Sequence, residues 1–330
     1  MRVTGRLKQA YVASRLAHGN LHAVSKFVRV DDANLHFVIK GSGRPVVLIH
    51  GNPGSCQDWV KLYGPISARY QTIAFDRPGH GHSDRPNHRA ITVEVQARLL
   101  YTALVELRIE RPLLVGHSWG GALALAYALA YPNDVSGLIL LAPAVYESED
   151  GLSFVSKLPA LPVIGDLVNF VFTPLIAASV VRSDLKKAFA PDPVPPHYLR
   201  SVLSEWTRPR KVKWYSVDDA LLNESLPQLS ARYAELLDSD KRVSTALVSG
   251  PLEGGHSPGD SRRLRLPISI VAGDSDLIVP VAENSQRLHQ TLPGSNLVVL
   301  PSTGHQIPFT RPEAVIQAID QVASIVSLSS

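Results

Sequence analysis

The sequence predicts an α/β fold: a mostly parallel central sheet flanked by helices and interrupted by a mainly helical insertion. Three observations predict it. First, Pro45-Val-Val-Leu-Ile49, Gln71-Thr-Ile-Ala-Phe75 and Pro112-Leu-Leu-Val115 are short, continuous apolar runs, the pattern of strands buried on both faces. Second, stretches with helical spacing alternate with these runs, which implies crossover connections and parallel pairing. Third, the alternation stops after Pro143 and resumes at Pro267-Ile-Ser-Ile-Val271.

Taken in order, the first element is a hairpin. Phe27-Val-Arg-Val30 and Leu35-His-Phe-Val-Ile39 flank the turn residues Asp31-Asp-Ala-Asn34. The buried strands at 45–49 and 71–75 follow. Residues 91–107 carry apolar positions three and four apart and read as a helix. The strand at 112–115 runs through a glycine-flanked turn into a helix over 121–131, and a strand over 135–141 follows. Residues 144–265 are rich in Leu, Pro and short helix-like pieces, without β–α alternation. After the strand at 267–271 come a helix over 281–292, a strand over 296–300 and a helix over 312–326. The chain therefore divides into a basic N-terminal segment (1–25), a core domain (26–143 and 266–330) and a helical insertion (144–265).

Bulk properties exclude several classes. A hydrophobic fraction of 45% with 19% charged residues excludes a mainly disordered chain. The net charge of +4 is mild, and no nucleic-acid-binding module accompanies it. The densest basic run, Arg208-Pro-Arg-Lys-Val-Lys213, reads as a solvated surface. The single cysteine, Cys56, excludes an intrachain disulfide and fits a reducing compartment, so a cytoplasmic location is the expectation. Cys56 has no motif of its own and is read as non-catalytic. Residues 1–30 hold six Lys or Arg and no acid, without the apolar stretch of a secretory signal. Leu7, Tyr11, Val12, Leu16 and Ala17 have the spacing of a short basic amphipathic helix, packed on its own domain or touching an anionic membrane surface. No segment reaches the ~20 apolar residues of a membrane span; the nearest, residues 167–181, is broken by Pro174.

The chemistry centres on Gly116-His-Ser-Trp-Gly120. A serine hydroxyl is a poor nucleophile near neutral pH and needs a base, an orienting acid and donors for the oxyanion. Ser118 lies between a buried strand and an Ala-rich helix. A nucleophile on such a sharp turn requires small residues two positions to either side, and Gly116 and Gly120 supply them. The base is a histidine, and His305 stands just past the strand over 296–300, at the sheet edge where sites collect in open α/β folds. His117, His50, His80 and His82 are read as structural. The acid should follow the preceding strand, where Gly273-Asp-Ser-Asp276 offers Asp274 and Asp276. One oxyanion donor is the N–H of the residue after the nucleophile, Trp119. The other should come from His50-Gly-Asn-Pro-Gly54, where Pro53 has no N–H and Asn52 is the candidate.

These motifs, with Asp76-Arg-Pro-Gly-His-Gly-His-Ser-Asp84, together resemble the α/β-hydrolase superfamily over residues 27–143 and 265–328. The chain order Ser, Asp, His is the family's. The resemblance implies a catalytic triad of Ser118, Asp276 and His305, with Asp276 preferred over Asp274. It implies a structural role for residues 76–84 and a cap domain formed by residues 144–265. It implies no metal and no organic cofactor. Asn52 with Trp119 is also similar to the halide-binding pair of haloalkane dehalogenases, and the Trp to epoxide hydrolases. Those enzymes use an aspartate nucleophile. A serine there would form an ether that water cannot cleave, which directs the chemistry to carbonyls. The expected reaction is cleavage of a carboxylic ester or related acyl compound with a hydrophobic group, through an acyl-enzyme on Ser118. Carbon–carbon bond hydrolysis and cofactor-free perhydrolysis use the same triad and stay open, as does a non-catalytic small-molecule-binding protein on the same fold. The expected partner is a small hydrophobic substrate, with no nucleic acid. Trp206, Trp214 and Tyr215 are candidates for the pocket wall.

Overall fold

A computed structural model describes residues 24–87, 90–147, 173–242, 262–264 and 266–329. The basic segment read as a helix, and residues 167–172 of the apolar stretch over 167–181, lie outside these residues.

The hairpin forms as expected: β1 (Val24–Val30) pairs antiparallel with β2 (Ala33–Lys40). Then follow β3 (Pro45–Ile49), a short α1 (Tyr63–Ser67), β4 (Gln71–Phe75), α2 (Val93–Glu106), β5 (Leu113–His117), α3 (Trp119–Ala130) and β6 (Gly137–Leu141). The sheet resumes with β9 (Ile268–Gly273) and β10 (Asn296–Leu300). Its eight strands run in the order β1-β2-β4-β3-β5-β6-β9-β10. From β4 to β10 every pair is parallel; β2 joins β4 antiparallel. β5 and β6 are buried at every residue, which is why they read as unbroken apolar runs. Each fully buried Leu, Val or Ile contributes about 1.5–3 kcal/mol.

The sheet has a core on each face. On one, β-strand residues such as Val47, Ile49 and Leu114 pack with α2 and α3. On the other, Val46, Leu48, Val115 and Ile139 pack with Trp59, Ile66 and the helix α9 (Pro312–Ser329).

Between β6 and β9 the described insertion contains three helices: α4 (Thr173–Phe189), α5 (Pro196–Trp206) and α6 (Pro209–Ala231). They are 17, 11 and 23 residues long, longer than the short pieces expected. α5 and α6 have Pro at the first turn and Pro174 is the second residue of α4, where a missing N–H costs nothing, and α6 also runs through an internal Pro227. A two-stranded antiparallel sheet, β7 (Leu237–Arg242) with β8 (Arg262–Leu264), was also not expected. Its residues Leu-Asp-Ser-Asp-Lys-Arg carry no alternating apolar signal. After β9 the chain forms α7 (Arg287–Thr291), and after β10 α8 (Ile307–Thr310). Among the described residues no helix is long and apolar enough to cross a membrane.

Trp206 and Tyr215 are not free pocket walls. With Leu185, Phe189, Tyr198 and Val202 they form the inserted helices' own core, seated on Phe309. Trp214 is half-buried, with the Arg85 guanidinium 4.7 Å from its ring centre. Polar contacts anchor these helices to the sheet domain. Tyr198 donates to Asp58 Oδ1 at 3.0 Å, and Lys211 Nζ donates to the carbonyls of Gly79 and Gly81, each at 2.8 Å.

Burial lifts the Asp58 carboxyl to about 7, against the hydrogen bonds from Ser55 N–H and Tyr198. The folded protein therefore keeps a proton that the unfolded chain releases near pH 3.8. The stability tied to that proton is complete below this value and is lost as pH rises to about 7. The expected result for Asp58→Asn is a gain relative to wild type that grows from pH 5 to pH 7 and then levels off. Urea midpoints across this range check it; parallel pH dependences in the two proteins would refute it.

Candidate active site

The site assembles at the carboxyl ends of β3, β5, β9 and β10. Ser118 sits between β5 and α3 with φ 53° and ψ −121°, a strained conformation for a residue with a Cβ. The surroundings enforce it. Ser118 N–H donates to Leu141 O of β6 at 2.9 Å, and Ser118 O accepts from Gly121 N–H at 2.8 Å and Ala144 N–H at 3.1 Å. Gly116 and Gly120 leave room for the turn: a Cβ on Gly116 would overlap the Gly120 carbonyl oxygen, and one on Gly120 would overlap that of Ile49. The N-terminus of α3 lies behind the serine and favours developing negative charge.

His305 and Asp276 meet. His305 Nδ1 donates to Asp276 Oδ2 at 2.7 Å, with both side chains buried. Asp276 Oδ1 accepts from the N–H groups of Ile278 (2.8 Å) and Val279 (2.9 Å). Burial opposes the charge, but His305 and these N–H groups outweigh it and hold the carboxyl below its ordinary value. Asp274 does not reach the histidine; its Oδ1 accepts from Ser275 Oγ and Thr303 N–H. Backbone bonds lock the acid loop to the histidine loop: Asp274 N–H donates to Leu300 O and Ser275 N–H to Thr303 O, each at 3.0 Å. No hydrogen bond joins Ser118 to His305 among the described residues. Such contacts are often long without substrate and tighten when it binds.

His117 points away from the serine hydroxyl, as adjacent residues on a tight turn do. Its Nε2 donates to the His305 carbonyl at 2.9 Å, and its ring centre lies 4.8 Å from that of His305. Burial and the neighbouring His305 push its pKa down to about 3, so it stays neutral.

The loop after β3 closes on the serine. A Cβ on Gly51 would lie 3.1 Å from Ser118 Cβ. The backbone N–H groups of Asn52 and Trp119 donate to no backbone acceptor among the described residues. Their side chains are committed elsewhere. Asn52 Nδ2 donates to Tyr215 O at 2.8 Å and to Asp219 Oδ1 at 2.5 Å, and Trp119 Nε1 donates to Asp218 O at 3.2 Å. The side-chain donors that would form a halide-binding pair are thus occupied by α6.

Beside this loop lies a buried polar cluster that sequence reasoning did not single out as a unit. Arg77 Nη1 donates to Asp218 Oδ2 at 2.9 Å, Arg85 Nη1 to Asp218 Oδ1 at 2.7 Å, and Arg77 Nη2 to Gly51 O at 3.0 Å. The Arg77 guanidinium lies 3.8 Å from the Trp119 ring centre. The signal available was Arg77 itself, inside the Asp76–Asp84 motif; its partner Asp218 lies 141 residues away in a polar helix.

Asp76 accepts from His36 Nδ1 and from the N–H groups of Cys56 and His82. Burial opposes its charge, yet these donors bring its carboxyl well below the ordinary range. His36, Cys56 and Asp76 could each offer a metal-ligand atom within 4.8 Å of the others. Their hydrogen bonds account for the grouping instead: Cys56 Sγ donates to Ala74 O, and the carboxylate is engaged by three donors. Burial raises the Cys56 thiol well above its ordinary pKa, the opposite of an activated nucleophile.

Comparison with known proteins agrees with this architecture. The chain is 28% identical over 296 residues to 2-hydroxy-6-oxo-2,4-heptadienoate hydrolase of Pseudomonas putida, spanning 88% of this chain and 91% of that protein. It is 29% identical over 279 residues to an uncharacterized protein of Mycobacterium tuberculosis, covering 83% and 73% of the two chains. A crystal structure of an alpha/beta hydrolase fold protein from Burkholderia ambifaria superposes with a TM-score of 0.68 at 22% identity, covering 94% of this chain and 99% of that one. The family model for the alpha/beta hydrolase fold matches residues 44–312. With a match over that span, the chain belongs to the alpha/beta hydrolase fold family.

Proposed function

We propose that the protein is a serine hydrolase that cleaves a carboxylic ester or related acyl compound carrying a hydrophobic group. The observation that carries the reading is Ser118 held at positive φ on the strand–helix turn, with the His305–Asp276 pair formed at 2.7 Å on the neighbouring strand ends. In this reading His305 Nε2 takes the Ser118 proton as Oγ attacks the substrate carbonyl. Asp276 fixes the proton on Nδ1 and stabilises the imidazolium. The Asn52 and Trp119 N–H groups receive the oxyanion. His305 then protonates the leaving group, and a water activated by the same histidine releases the acid. Helices α4–α6 act as the cap over the site. No cofactor enters the scheme.

The serine supports carbonyl chemistry over dehalogenation, and the engagement of the Asn52 and Trp119 side chains by α6 supports it independently. Carbon–carbon hydrolysis is the second reading, favoured by the Pseudomonas putida relative. That relative's named substrate is a carboxylate. Arg77, which donates to Gly51 O in the loop after β3, and the neighbouring Arg85 are both engaged by Asp218, which supports an uncharged ester as the better substrate.

Purified protein is expected to hydrolyse p-nitrophenyl esters and to be labelled by a fluorophosphonate at Ser118. Ser118→Ala is expected to abolish both, with an unchanged circular dichroism spectrum. Retained turnover would refute the acyl-enzyme. Faster turnover of a vinylogous 1,5-diketone than of any ester would favour the second reading.

A further inference from the structure

We propose that Arg77 is a positioning residue of the oxyanion hole: held in place by Asp218 of the cap, it orients and polarises the Gly51–Asn52 peptide. Docking of helix α6 thereby sets the strength of one oxyanion donor. This rests on the Ser118 acyl-enzyme reading.

The Gly51 carbonyl and the Asn52 N–H are the two ends of one peptide unit. Whatever donates to the carbonyl draws electron density from the nitrogen and makes its N–H a stronger donor. Gly51 O is within hydrogen-bond distance of two groups. Arg77 Nη2 donates to it at 3.0 Å, and His50 Nδ1 lies 2.8 Å away. The His50 tautomer is decided by the backbone: Arg77 N–H donates to His50 Nε2 at 2.9 Å, so Nε2 carries no proton and Nδ1 is the donor. Burial, with Arg77 adding to it, pushes His50 down to about 3, and this neutral tautomer holds near neutral pH. The peptide plane is therefore fixed by one neutral and one cationic donor, with the cationic one the stronger.

Arg77 can serve this way only if its own charge is compensated. It is 2% exposed, and Asp218 is fully buried. Asp218 bridges Arg77 to Arg85, and Gln96 Oε1 accepts from Arg77 Nη1 at 3.1 Å. Burial lowers Arg77 only to about 10 against the attraction of Asp218, so the guanidinium is charged at neutral pH. Trp119, whose N–H is the second oxyanion donor, lies with its ring against the same guanidinium and its Nε1 on Asp218 O. Both proposed donors are thus tied to one turn of α6, and the Asn52 side chain is tied to Tyr215 O and Asp219 of the same helix. A cap displaced from this seat would release Arg77, and with it the peptide.

The test uses the full chain and three variants: Arg77→Met, Arg77→Lys and Asp218→Asn. For p-nitrophenyl acetate, Arg77→Met is expected to lower kcat about tenfold to a hundredfold with KM changed by less than about threefold, as for a weakened oxyanion donor. Affinity for phenylboronic acid, whose Ser118 adduct places an anionic oxygen in the hole, is expected to fall by the same factor as kcat. Arg77→Lys, which keeps the charge, is expected to recover part of both. The Gly51 carbonyl carbon resonance is expected to move upfield in Arg77→Met and Asp218→Asn. Should Arg77→Met fail to fold, Asp218→Asn carries the test, because it keeps the shape and weakens the hold on Arg77. Unchanged kcat and boronate affinity in these variants, or a loss confined to KM, would overturn the inference alone. A wild-type protein whose Ser118 is not labelled by a fluorophosphonate would overturn the acyl-enzyme reading and this inference with it.

Discussion

Asp276→Asn is expected to lower kcat roughly ten-thousandfold without unfolding the protein. The cause is a tautomer, and the structure shows why it would be forced. Asp276 Oδ1 accepts two backbone N–H groups, from Ile278 and Val279, while Oδ2 accepts from His305 Nδ1. An amide at this position has one oxygen, and the two N–H groups claim it. Its NH2 then faces His305 Nδ1, which must become an acceptor. The imidazole proton moves to Nε2, on the side of Ser118, and the base is lost. Because each hydrogen bond finds a counterpart, urea midpoints should change little. The kinetic check is single-turnover acylation by a p-nitrophenyl ester. A fall of less than about tenfold would show that Asp276 does not set the tautomer.

Gly120→Ala should strongly destabilise the protein. Its Cβ would overlap the Ile49 carbonyl oxygen and lie 2.7 Å from that of His50. Both are backbone atoms at the end of β3, so neither can rotate aside. Relief requires α3 to move off β3, which displaces Ser118 and the His50–Gly54 loop together. A loss of about 3 kcal/mol or more is expected from overpacking of this kind, with esterase activity lost in the fraction that stays folded. Gly64→Ala is the control. It lies within α1 with no atom within 4 Å of the added Cβ, and should be neutral or stabilising by up to about 1 kcal/mol. Equal urea midpoints for the two variants would refute the packing argument.

The parts of this protein that were readable from sequence are those whose physics is local. β5 and β6 are buried on both faces and so appear as continuous apolar runs. The serine turn demands Gly116 and Gly120 within two residues of Ser118, so its signature is contiguous. The inserted helices were the exception: they were expected as short pieces, yet α5 and α6 start on Pro196 and Pro209, and α6 runs on through Pro227. The structural role of the Asp76 motif was what the family resemblance implied; in the fold, His36, Cys56 and His82 converge on its carboxylate.

Other features depended on residues brought together by folding. Choosing between Asp274 and Asp276 rested on resemblance; the 2.7 Å bond to His305 puts that choice in geometric terms. The side chains of Asn52 and Trp119 suit a halide by sequence, yet the folded chain commits both to α6. Nothing local to Arg77 announces Asp218, since a buried ion pair needs only that two distant groups meet where water is excluded. The sequence by itself determined the order of the main strands and helices of the sheet domain, the strained serine and the identity of its candidate partners, because backbone sterics and burial patterns act over a few residues. Only the tertiary structure decided which acid faces the histidine, which donors are free and how helix α6 is tied to the loop after β3. Those are matters of hydrogen-bond satisfaction between groups that the chain keeps far apart.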